Sequence, residues 1–103
     1  PDIEKICKDY AETNGVGLIN DRKTRFPDYS THGYSSSYVI NDLFHQDGGH
    51  KNLFDFKLLN SVLSKAGFSN CIKVNETMFL DKFPDFLKRN DDFQSLYVMA
   101  NKN

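Results

Sequence analysis

Cysteine is scarce, charge is balanced and long apolar runs are missing, and each shortage removes a class of protein. The chain holds two cysteines, Cys7 and Cys71, too few for the disulfide framework that staples small secreted domains. They read as reduced, partly buried thiols, and Cys7 falls on an apolar helix face where a thiolate is disfavoured. Thirteen Lys and Arg oppose 14 Asp and Glu, for a net charge of -1, whereas a nucleic-acid binder carries a basic excess. No apolar run approaches the ~20 residues that a membrane span needs. The start of the chain is polar and charged from Asp2 onward, without the pattern of a signal peptide. The expected location is the cytoplasm, with neither nucleic acid nor membrane as partner.

Catalytic motifs are equally sparse. Gly15-Val16-Gly17 lacks the third glycine of a dinucleotide loop and follows a helical pattern, where that loop needs a strand before it. There is no P-loop and no serine nucleophile elbow. His45 and His50 stand five apart, with His32 as the third histidine, but no Cys or carboxylate spacing completes a metal set. Asp81, Asp85, Asp91 and Asp92 sit in a polar connector and read as a solvated face, without the burial that would separate two pKa values. No catalytic, cofactor-binding or metal-ligating residue is therefore assigned, and a small enzyme of another class is disfavoured.

What is present is apolar patterning. Hydrophobic residues make up 39% of the 103, with nine Phe among them, enough for one packed domain and too much for a disordered tail. Ile3, Ile6, Cys7, Tyr10 and Ala11 share one face of a helix over 2–14, which Asp2 caps and Gly15 stops. Residues 15–37, rich in Gly, Asn, Asp, Ser and Thr, read as a long loop with one short turn, either a lid or a surface excursion. A second helix is expected over 36–45, where Val39, Ile40, Leu43 and Phe44 align. The clearest helix runs from the Asp55 cap to Gly67, with Leu58, Leu59, Val62, Leu63 and Ala66 in a stripe. Residues 70–76 alternate as a half-buried strand with Ile72 and Val74 on one face. A connector with one or two short helical turns follows over 77–92, then a final strand over 93–100.

Two strands do not make an independently stable sheet. Either the strands pair with another copy of the chain, or these residues are the last part of a larger sheet protein.

The order helix, Gly-Phe, strand, connector, strand carries a resemblance. His50 to Phe68 (HKNLFDFKLLNSVLSKAGF), then NCIKVNE and SLYVMANK, resembles the C-terminal part of class I S-adenosylmethionine-dependent methyltransferases, with their "L..LL..AGF" helix and a final antiparallel strand. PDIEKICKDY resembles the segment that follows the fifth sheet strand of those enzymes, and YVINDLFHQDGGHKNLFD the bridging region that often forms a substrate lid. Met99 departs from the acidic residue common there, and 77–92 match poorly.

The resemblance implies an α/β fold that appears as α+β in isolation: the last helix and last two strands of a Rossmann-like sheet plus a helical and loop lid insertion. Residues 1–52 would be the lid segment and 53–103 the final helix and strand pair. The family's glycine-rich turn and ribose-binding acidic residue have no counterpart here, so S-adenosylmethionine is implied for a full-length parent and not for this chain alone. Opening at Pro1 fits an incomplete reading frame, a cleaved piece or a trimmed product. Tyr38, Asn41 and His50 are the candidate substrate-side residues. Each also has a plain structural role open to it: helix packing for Tyr38, solvation for Asn41, a loop hydrogen bond for His50. The expected partner is a missing N-terminal half or a second copy. The alternative function is a non-enzymatic α+β assembly module that dimerises through its strand edges.

Overall fold

Asp2 sets the start of the first helix. Its side chain accepts the Glu4 N–H at 3.0 Å and caps α1, Ile3–Thr13. Its own N–H donates to the Gln94 carbonyl at 2.7 Å, and the next N–H, of Ile3, donates to Phe54 at 3.0 Å. Asp2 and Phe54 thereby form a single parallel bridge. The computed structural model describes residues 1–49 and 52–103. Among them α1 is followed by α2 (Val16–Arg25), α3 (Tyr38–His45), a short 3₁₀ turn (Gln46–Gly48), α4 (Phe56–Lys65), β1 (Phe68–Val74), α5 (Glu76–Lys82) and β2 (Tyr97–Lys102). The fold is α+β. None of the described helices is long and apolar enough to cross a membrane.

The stretch 16–25, read from sequence as loop, is a helix. Its cap, Gly15, has no side chain to offer and sits at φ +93°. The capping comes from α1 instead. Buried Asp9 accepts the Leu18 N–H at 3.0 Å, and the Thr13 hydroxyl, itself bonded to Asp9, accepts the Gly17 N–H at 3.1 Å. Such a cap lies outside the segment it supports, so no local signal announces the helix. The two helices touch closely, and a Cβ on Gly17 would lie 2.2 Å from the Asp9 carboxylate.

Ile6, Leu18, Val39 and Leu43 form the buried cluster, drawn from α1, α2 and α3. Cys7, expected to be partly buried, is exposed, whereas Cys71 is half-buried. The buried positions of α1 are Ile6 and Asp9, because α2 leans on that side and leaves the Cys7–Tyr10 side uncovered.

The expected pair of strands is present and antiparallel, and no third strand joins it among the described residues. Asn70, at φ +53°, makes a bulge between Ser69 and Ile72, and the ladder begins at Phe68, two residues earlier than the alternation suggests. β2 begins later than expected, at Tyr97, because Gln94 and Ser95 turn back to donate to the Asp91 carbonyl. The connector holds α5, in agreement with the expected helical turns. The accessible surface is 7065 Å², against about 5,900 Å² for a compact monomer of this mass. The radius of gyration is 15.0 Å, against about 13 Å for a chain of this length.

Candidate functional site

Two side-chain constellations stand out. The first is a polar cleft of about 410 Å³ between α2, α3 and the turns that join them. Tyr38 and Asp42 stand one helical turn apart on α3 and face the same way. From α2, Arg22 lies 4.0 Å from the Asp42 carboxylate and stacks over the Tyr29 ring at 4.8 Å. His32, held at φ +54°, meets the Tyr38 ring edge-on at 6.0 Å, and Tyr34 stacks on Tyr38 at 5.3 Å. Burial pushes the Tyr29 phenol up to about 12, and the Asp42 carboxylate beside it adds to the shift. This arrangement offers flat rings, an arginine and a carboxylate to a ligand. It contains no nucleophile paired with a base.

The second constellation surrounds Asp91, which is fully buried. Its carboxylate accepts hydrogen bonds from the Tyr97 hydroxyl and, at 2.8 Å, from the Ser95 hydroxyl, and lies 3.3 Å from Arg89 Nε. Burial alone would raise the Asp91 pKa, but the Tyr97 and Ser95 bonds and the nearby arginine charges outweigh it, and the net shift is downward. Tyr97 moves the opposite way, held neutral by burial and by the carboxylate it donates to. Glu76, also buried, accepts the N–H groups of Arg89 and Asn90. The loop before β2 is thus pinned by two buried carboxylates. The reading of Asp91 as part of a solvated face is corrected: its neighbours hydrogen-bond it inward. Phe79, Phe86 and Tyr97 line a cleft of about 280 Å³ beside it, and Phe83 packs on Phe79.

Of the candidate substrate-side residues, Tyr38 lines the polar cleft, and Asn41 is exposed on the same helix without lining it. His50 lies outside the described residues. Arg22 was missed because the helix that presents it was itself missed; Tyr29 and Asp42 join it only through the packing of α2 against α3. No group of three or more His, Cys, Asp or Glu among the described residues is placed to hold a metal ion. No family model matches the chain, and no curated protein or solved structure matches it either.

Proposed function

We propose that these residues are the C-terminal part of a class I S-adenosylmethionine-dependent methyltransferase, contributing a substrate-side lid and the edge of a Rossmann-like sheet, and not catalytically competent alone. One observation carries the reading. Asp2 is bonded to Gln94, just before β2, and β1 is the only strand paired with β2 among the described residues. The bond sets the Pro-Asp segment beside the chain that leads into β2, and the other edge of β2 has no strand on it among the described residues. The resemblance implies a sheet strand immediately before the Pro-Asp segment and a final antiparallel strand at β2, and this contact brings the two segments together. The apolar stripe of α4 supports the same reading. Leu58 and Val62 are 47% and 46% exposed, and the helix has no buried residue, as expected of a helix whose covering layer is contributed by other chain.

In this reading α2, α3 and the turns between them form the lid, and the Tyr38 cleft is its substrate-facing surface. The test is the DNA immediately upstream of the codon for Pro1. An in-frame stretch encoding a glycine-rich strand–turn–helix is expected, and its full product should bind S-adenosylmethionine in calorimetry while the 103-residue chain does not. An in-frame stop codon directly upstream, or micromolar binding of the cofactor by the isolated monomer, would contradict the proposal. The same free edge admits a second copy of the chain. A discrete dimer in light scattering, without an upstream frame, would favour the assembly module instead.

A further inference from the structure

A smaller and more enclosed cavity of about 190 Å³ shares Arg22 and Gln46 with the Tyr38 cleft. Arg22 and Arg25 reach it from α2, Arg89 and Gln94 from the loop before β2, and Gln46 from the 3₁₀ turn. We propose that this cavity is a binding site for a small oxyanion, the phosphate or carboxylate group of a ligand, gripped by Arg22, Arg25 and Arg89. The proposal stands on the cavity alone and does not depend on the methyltransferase reading.

Three observations converge. Arginine presents five N–H donors in a planar fork that matches the oxygens of phosphate and carboxylate, and three such forks meet here. Their donors are not used up within the protein. Arg22 lies 4.0 Å from Asp42, beyond hydrogen-bond range; Arg25 spends one nitrogen on Asp21 at 2.8 Å; Arg89 offers Nε to Asp91. The Nε atoms of Arg22 and Arg25 are buried without a hydrogen-bond partner among the described residues. Gln94 supplies the independent sign. Its side chain is 6% exposed, and its amide oxygen has no partner among the described residues. A half turn of an amide exchanges its oxygen for its NH₂, so this group can donate to an anion or accept from a ligand hydroxyl.

Each of the three arginines faces one carboxylate, Asp42, Asp21 or Asp91, so what the cavity offers a further acid is unspent donors. Asp91 is committed to the Tyr97 and Ser95 hydroxyls as well as to Arg89. Phe26 holds the two helical arginines in place, with guanidinium carbons 5.9 Å and 5.5 Å from its ring centre. The forks are therefore oriented before any ligand arrives, which lowers the entropy cost of binding.

The test is titration of the purified protein with inorganic phosphate and, separately, with acetate, followed by calorimetry. Saturable binding of at least one is expected, weakened about tenfold or more in Arg22→Gln and in Arg25→Gln, the loss expected for a hydrogen bond to a charged group. Lys65→Gln, on the exposed side of α4, should leave it unchanged. Binding of phosphate alone assigns a phosphoryl ligand, and binding of acetate alone or of both assigns an acid that includes carboxylates. No saturable binding, or binding that survives both arginine changes, would overturn the site. Should the variants fail to fold, the unaltered protein is treated with phenylglyoxal and digested for mass spectrometry. Phosphate or acetate should protect Arg22 and Arg25 from modification, and equal labelling with and without both anions would overturn it. Every readout is made without S-adenosylmethionine, so its outcome is separable from that of the proposed activity.

Discussion

The two ends of the molecule bury their apolar residues very differently. In the three-helix end, Leu18, Val39 and Leu43 are wholly inaccessible and Ile6 nearly so. In the sheet end, α4 carries the most continuous apolar stripe in the sequence and has no buried residue, while Ile72 of β1 is 49% exposed. The better core-like pattern is the less buried one. An apolar stripe at helical spacing is shaped by what it packs against. In this chain Ile6, Leu18, Val39 and Leu43 cover one another, whereas the stripe of α4 is left uncovered. Buried, hydrogen-bonded polar groups occur at both ends: Asp9 caps α2, Glu76 holds the loop before β2, and Asp91 holds that loop and the first residue of β2, Tyr97.

This contrast can be broken by mutation. The largest effect is expected for Leu18→Ala, which should cost about 2–5 kcal/mol of stability in urea unfolding, since it opens a cavity in a closed cluster. A loss under about 1 kcal/mol would mean that the cluster is no core. Asp91→Asn should cost about 1–3 kcal/mol by weakening a buried, hydroxyl-bonded carboxylate. The pH dependence follows from the lowered Asp91 pKa. The stabilisation is present above the usual carboxylate range, about pH 4, and is lost as pH falls through the lower folded-state value. Asp91→Asn should remove that portion of the acid-induced loss, and an unchanged acid profile would contradict the assignment. Gly17→Ala should cost about 1–3 kcal/mol, because its methyl group meets Asp9 and forces α1 and α2 apart; unchanged thermal unfolding would show that the two helices are not in close contact. Leu58→Ala should be the smallest, within about 0.5 kcal/mol in the isolated chain. In a product that includes the upstream residues, the same change should cost about 2–5 kcal/mol, and equal effects in both would deny α4 a missing partner.

Sequence periodicity revealed α1, α3, α4 and the two strands because their apolar residues recur at the right interval. It failed for α2, whose capping comes from Asp9 and Thr13 on the neighbouring helix and whose single buried residue is Leu18. Polar burial was also hidden. Asp91 and Asp92 look alike in sequence, but only Asp91 is turned inward toward Tyr97 and Ser95. Of the candidate site, Tyr38 was legible as an aromatic at the start of a helix. Arg22, Arg25, Arg89 and Gln94 were not, because their meeting place is made by tertiary contact between segments some 70 residues apart in the chain.

Hydrogen–deuterium exchange on a monodisperse monomer of the 103-residue chain tests most directly whether the sheet end lacks its neighbours. The amides of α1, α2 and α3 should exchange slowly, and those of α4, β1 and β2 much faster, because local opening there exposes little surface that is not already wet. Protection of α4 and both strands equal to that of the three-helix cluster would show that the sheet is complete as it stands.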